Sequence, residues 1–276
     1  MSNIVLFATY WNEIEWIQAS LAQIDAINPT ELIICDGCFD PLWPNYSTDG
    51  TREIIEKYVG EHSNAKLISA LRLSRLQHYF AWFRSLPHEK PNYGIIAKLR
   101  LAAQFHRRNI YRLNQMATFN YMISISHHFR EGSWFMTYDC DQFYSNAMLE
   151  AFKCINEECP FSIIVGREYT FIGNFNRYTE DYEKRGYNNM PHKIFHDIRF
   201  IPTRHPARIV GGKYMISAEF EVKRDVGIIF HYHVKSPDRL RAGYSLGDRK
   251  PPETSRVQTK PYYGEHPTII KKFFLS

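Results

Sequence analysis

The first 70 residues alternate buried-strand and amphipathic-helix patterns, and that alternation leaves few folds open. Ile4–Ala8 is a continuous apolar run, too short for a helix and typical of a strand covered on both faces. Ile14, Ile17, Leu21 and Ile24 then recur at helical spacing, with Asn12 offering an N-cap. Leu32–Cys35 reads as the next buried strand. A second helix is expected to open around Asp49-Gly50-Thr51, with Glu53 in its first turn and Ile54, Ile55 and Tyr58 facing inward. Ala65–Ser69 is a third, weaker strand. A β-α-β-α-β order of this kind calls for right-handed crossovers and a parallel sheet, hence an α/β fold.

Residues 71–108 interrupt the pattern with a stretch rich in Arg, Leu and aromatic residues. A helix is expected over Ile110–Ile125, with Leu113, Met116 and Ala117 inward, then a strand over Ser133–Tyr138 that ends in Asp139-Cys140-Asp141. A helix over Asn146–Cys154 and a strand over Ser162–Val165 follow, and beyond Glu168 the strands shorten, with Tyr214–Val222 and Val226–Val234 reading as a β pair. Nothing repeats internally. The expectation is one domain over 1–276, its halves 1–155 and 156–276, with 71–108 inserted in the first. Cys35, Cys38, Cys140, Cys154 and Cys159 have no disulfide-framework spacing, which points to free thiols in a reducing compartment. No basic leader precedes the first strand and no apolar run approaches the ~20 residues of a membrane span, so a cytoplasmic protein is expected, with peripheral contact at the membrane inner face left open.

Ligands of open α/β sheets bind beyond the carboxyl ends of the strands. Here those ends carry Thr9-Tyr10-Trp11 with Asn12 and Glu13, then Asp36-Gly37, then Asp139-x-Asp141. Neither G-x-G-x-x-G after the first strand nor a P-loop occurs, which removes the dinucleotide-binding and P-loop readings. Two acids one residue apart at a strand end can turn both carboxylates toward one cation, and oxygen donors with open positions suit Mg²⁺ or Mn²⁺. The plainer alternative is an acidic turn ahead of the helix at Asn146.

Together these residues resemble the family 2 glycosyltransferases, inverting enzymes of GT-A fold that use sugar nucleotides. The resemblance rests on Asn12-Glu13, on Leu32-Ile33-Ile34-Cys35-Asp36-Gly37, on Ser47-Thr48-Asp49-Gly50-Thr51, on Arg112-x-Asn114 and on Tyr138-Asp139-Cys140-Asp141, with a looser match near His231. It implies a GT-A-type, Rossmann-like mixed sheet flanked by helices, with a UDP- or GDP-sugar as donor and a glycan or lipid-linked acceptor, in surface polysaccharide synthesis. It also implies that Thr9 and Glu13 line the nucleotide pocket, that Asp36 accepts a hydrogen bond from the base, and that Arg112 and Asn114 face the diphosphate or ribose. Asp139 and Asp141 would hold Mn²⁺ or Mg²⁺ on the diphosphate, while Asp49 would cap its helix. His231 and His233 share one face of a strand, with His231 favoured at the metal, and Lys235, Arg239 and Arg241 follow where they could meet phosphate. For the base that inverting transfer needs, Glu168 is the choice, with Asp181, Asp197, Glu219 and Glu221 as alternatives.

Two features depart from the family. Residues 38–46 separate Asp36-Gly37 from Ser47, and 71–108 replace a shorter connection. A nucleotidyltransferase is the alternative enzyme, although it would carry an early Gly-rich loop that is absent between Ala8 and Glu13. A non-catalytic binder of RNA or anionic lipid through 72–112 is the other alternative; without a recognisable RNA module, no nucleic-acid partner is expected. The tail Ile269-Ile270-Lys271-Lys272-Phe273-Phe274-Leu275 suits either an interfacial anchor or a packed terminal element. Charge is unevenly spread. The chain has 34 Lys and Arg against 29 Asp and Glu, but nine of the basic residues and one acid, Glu89, fall within 71–112, leaving 25 against 28 elsewhere. The basic excess therefore belongs to that one segment.

Overall fold

A computed structural model describes residues 2–89, 94–100, 110–156, 158–161, 163–181, 190–194, 198–201, 208–211, 222–223, 226–233 and 258–275. The first half runs β1 (Ser2–Tyr10), α1 (Ile17–Ile27), β2 (Pro29–Asp36), α2 (Thr51–Glu61), β3 (Ala65–Ser69), α3 (Arg75–Glu89) and α4 (Ile110–Ile125). It continues through β4 (Trp134–Asp139), β5 (Gln142–Tyr144), α5 (Asn146–Lys153), β6 (Ile163–Ile164), β7 (Arg167–Ile172) and β8 (Arg177–Asp181). The last part holds β9 (His192–Lys193), β10 (Ile198–Ile201), β11 (Arg208–Gly211), β12 (Val222–Lys223), β13 (Ile228–His233), β14 (Lys260–Pro261) and α6 (Thr268–Phe274).

Among the described residues the strands form a seven-stranded sheet in the order β12-β6-β9-β4-β1-β2-β3, a five-stranded sheet in the order β14-β8-β7-β13-β5, and a β10-β11 ribbon. β1, β2, β3 and β4 are mutually parallel and β9 is antiparallel to both of its neighbours, so the large sheet is mixed and flanked by helices. The α/β, Rossmann-like class expected from the sequence is the architecture observed. Its cause is visible in β1, whose side chains alternate between two cores. Ile4, Leu6, Ala8 and Tyr10 pack with Ile17, Leu21, Ile24 and Ile55 of α1 and α2. Val5 and Phe7 pack with Leu113, Met116, Phe119 and Met122 of α4 on the other face. A strand covered on both sides needs apolar residues at every position, which is why it reads as an unbroken run.

Two local expectations are corrected, and a third, left open, is decided. Asn12 does not cap α1: it adopts a left-handed φ of 51°, donates its N–H to Ser47 Oγ (2.8 Å) and accepts from the Thr48 N–H (2.9 Å), so it clamps a neighbouring loop. The helix begins five residues later at Ile17, and Ile14 stays exposed. The proposed pairing of Tyr214–Val222 with Val226–Val234 also fails where it can be followed. β12 pairs in parallel with β6, and β13 inserts between β7 and β5 because Ile229, Phe230 and Tyr232 are all buried and demand a central position; residues 214–221 lie outside the described set. Finally, the tail folds as α6 onto the core, with Ile270 fully buried and the Phe274 ring 4.3 Å from that of Trp16, which decides against a free anchor. All five cysteines are free thiols.

The far end of the sheet is fastened by Glu31. Its buried carboxylate accepts hydrogen bonds from Lys66 Nζ (2.8 Å), from Ser126 Oγ, and from the N–H groups of His127 and His128 (3.1 Å each), while Lys66 Nζ also donates to the last-turn carbonyl of Ile125 in α4. Burial alone would raise the Glu31 pKa, but these donors outweigh it and hold the carboxyl below its usual range. A depressed carboxylate stabilises the fold above the unfolded-state pKa, and this contribution is lost as pH falls through the folded-state value. Glu31→Gln is therefore expected to cost about 2 kcal/mol at neutral pH, with the gap to wild type closing below about pH 4. Urea melts at both pH values check this; a gap that persisted in acid would contradict it.

Candidate active-site crevice

The chain lays down β1, β2 and β3 outward in one direction, then returns to place β4 on the opposite flank of β1. At such a reversal the connections leave to opposite sides and a crevice opens at the carboxyl ends of the strands. Register brings three groups to that edge: Tyr10 stands beside Asp36, and Thr9 stands between Cys35 and Asp139. The acid-bearing ends of β2 and β4 are thus two strand spacings apart, about 10 Å.

On the β2 side, Asp36 is wholly buried and already satisfied. Its oxygens accept from the Ser47 N–H (3.1 and 3.2 Å), from Ser47 Oγ and from Arg52 Nη1 (3.2 Å). Burial pushes the Asp36 carboxyl above the usual range, and the Ser47 and Arg52 contacts offset part of that. Asp36 therefore shapes the loop. The neighbouring string is zipped to the β1 end: Glu13 N–H donates to Thr51 Oγ1 (2.9 Å), and Asp49 accepts from the N–H groups of Thr51 (3.0 Å) and Ile14 (3.1 Å). Asp49 thus serves the first turn of α2, in the role foreseen for it. Glu13 is buried there, and Thr9 is half-buried at the crevice edge.

The 38–46 insertion is a built loop. Gly37 has a φ of +140°, and a Cβ there would lie 2.1 Å from the Asn45 carbonyl oxygen, so only glycine lets the loop close against this strand end. Asn114 Nδ2 donates to the Phe39 carbonyl (2.8 Å), while Asn114 Oδ1 accepts from the Leu73 N–H (3.0 Å) and meets His78 Nε2 (3.0 Å). Asn114 thus joins this loop to α3 and α4. Arg72 donates to the carbonyls of Asp40 (3.3 Å), Pro41 (3.4 Å) and Trp43. Trp43 meets Trp11 edge-on, with ring centroids 5.5 Å apart. Pinning through Arg72 and His78 was not foreseen; their sequence neighbours give no period that singles them out.

On the β4 side, Asp139-Cys140-Asp141 is the joint at which the chain leaves the large sheet for the small one. Asp139 is exposed, whereas Asp141 is buried. Because β13 pairs with β5 at His231 and Gln142, and with β7 at Ile229 and Glu168, it brings His231 between two acids. His231 Nδ1 is 2.9 Å from Glu168 Oε1, and its Nε2 is 3.5 Å from Asp141 Oδ2. Burial alone would lower the His231 pKa; the charges of Asp141 and Glu168 outweigh it and raise the imidazole to about 9. His231 thus stands between the carboxylates of Glu168 and Asp141. Glu168 is also buried, with Thr170 Oγ1 3.2 Å from the same oxygen that meets His231. The sequence named all three of these residues but not their mutual contact, which strand pairing alone creates.

No set of three or more His, Cys, Asp or Glu side chains forms a metal cage among the described residues. The donor chemistry of Asp139 with Asp141 still fits a hard cation that keeps waters and takes further oxygens from substrate. The side chains of Arg112, Asp181 and His233, together with Lys235, Arg239, Arg241, Asp197, Glu219 and Glu221, lie outside the described set.

The fold and this crevice define an α/β protein whose acids gather at the strand reversal. No protein-family model and no curated protein matches the chain. Among solved structures it is similar to the crystal structure of S. aureus TarS 1-349, at a TM-score of 0.33 and 17% identity, over 63% of this chain and 38% of that one. A likeness this distant bears on neither fold nor activity.

Proposed function

We propose that this chain is a glycosyltransferase that moves a sugar from a UDP- or GDP-sugar to a glycan or lipid-linked acceptor, with inversion at the transferred carbon. The observation that carries the proposal is the placement of an exposed Asp139 and a buried Asp141, with His231 beside it, at the strand reversal. The ordered 47–51 loop lies two strands away. Asp139 and Asp141 would hold Mn²⁺ or Mg²⁺, which when bound neutralises charge growing on the departing nucleoside diphosphate. The Glu168–His231 pair lies beside the Asp141 carboxylate, and the loop closed by Gly37 and Ser47 would form the opposite wall. Neither wall needs to reorganise as charge develops between them, which is how a preorganised site favours a transition state over a ground state.

The test is a thermal-shift comparison of UDP- and GDP-sugars with and without Mn²⁺. At saturation near a hundredfold above Kd, the matching donor should raise the melting temperature by roughly 5–10 °C in the presence of metal. No shift with any sugar nucleotide, in either condition, would remove the proposal.

A further inference from the structure

The start of the basic segment and the 38–46 loop together expose an apolar rim, and we infer that this rim docks on an anionic lipid bilayer surface. The inference does not depend on the chemistry proposed for the crevice. Leu42 is 80% exposed at the loop tip, with Trp43 and Tyr46 partly exposed beside it. Through Arg72, whose guanidinium holds three carbonyls of this loop, the tip is tied to the start of α3. There Leu76 and Phe80, four residues apart and so on one helical face, are both more than half exposed. Residues 95–100 are helical and repeat the pattern, with Ile95, Ile96 and Leu99 more than half exposed.

Apolar side chains at this density on a folded surface mark a contact site. Their setting selects the partner. Arg75, Lys98 and Arg100 are interleaved with them, and the segment 71–112 carries nine basic residues to one acid. Trp and Tyr at the loop tip have the half-apolar, half-polar character that favours the headgroup boundary. Leu, Ile and Phe beside Lys and Arg, with almost no acid, is the composition of an interfacial helix attracted to negative headgroups. A protein partner would need matching acidic patches in addition to apolar ones, whereas an anionic bilayer supplies both features by itself.

Flotation of the full chain with vesicles tests this. Phosphatidylcholine vesicles containing about one-third phosphatidylglycerol should carry the protein up, pure phosphatidylcholine should not, and binding should weaken as salt rises. Each basic residue near such a surface is worth about fivefold in partitioning, so the triple substitution Arg75→Gln, Lys98→Gln and Arg100→Gln should lower it on the order of a hundredfold. Because Arg75 and Arg100 are exposed and Lys98 is only partly buried, that variant should melt with wild type. The pair Leu76→Ser and Phe80→Ser, also exposed, should weaken binding to a similar degree without changing salt dependence. Equal binding to both vesicle types, binding unchanged in either variant, or no binding at all would overturn the inference. It would equally fall if vesicles were ignored while the protein bound polyuridylate, or formed a dimer that the Leu76→Ser and Phe80→Ser variant splits.

Discussion

Asp139→Asn is expected to lower sugar transfer by about a thousandfold or more while shifting stability by no more than about 0.5 kcal/mol. The two effects separate because of where the side chain stands. Asp139 is the exposed member of the Asp139-x-Asp141 pair, so replacing its carboxylate leaves no buried charge stranded. Its proposed work is electrostatic and specific to the departing diphosphate, and an amide of the same shape cannot supply it. Asp141→Asn provides the contrast. Asp141 is buried against His231, so that substitution should lower both turnover and melting temperature. Initial rates with the matched donor, read beside melting curves, decide the matter. Full turnover in Asp139→Asn, or identical melting losses in the two variants, would show that the pair is only a structural turn.

The second large effect concerns Glu168. Its carboxylate and that of Asp141 flank the buried His231, and removing one partner leaves a buried polar group uncompensated inside the protein. Glu168→Ala should cost about 3–5 kcal/mol of unfolding free energy in urea denaturation, whereas Glu168→Gln, which keeps an acceptor for Nδ1–H, should cost distinctly less. Combining Glu168→Gln with His231→Gln should recover part of the sum of the single losses, since the two residues act as a unit. A base facing the acceptor would behave in the opposite way. Glu168→Gln would then abolish turnover and leave stability untouched, and that result would restore the catalytic assignment made from sequence.

These contrasts show what local pattern can and cannot convey. β1 to β3, α2, α4 and α5 were legible because burial on one or two faces writes a period directly into the chain, as with Ala65–Ser69 and Ile110–Ile125, whose observed bounds coincide with the expected ones. Asn12 misled because a residue type that caps helices is also one that tolerates a left-handed turn, and tertiary contact with Ser47 and Thr48 chose the second. The site was half legible. Acids at strand ends announced the crevice, but the state of each acid depends on partners far away in sequence: Ser47 and Arg52 for Asp36, His231 for Asp141. Asn114 shows the same limit, since its pattern next to Arg112 suggested a ligand while its contacts with Phe39, Leu73 and His78 make it a brace.

The strand order also has a consequence for the order in which the molecule can be completed. β1 lies in the interior of the finished sheet, yet its second neighbour, β4, is not synthesised until residue 134. While the ribosome is still making the basic segment, Ile4–Tyr10 pairs only with β2 and leaves one long apolar flank unpaired. A nascent chain in that state carries an exposed edge of the kind that recruits other strands or chaperones. The same reversal that opens the crevice therefore leaves the earliest strand half-paired until the chain has reached residue 134.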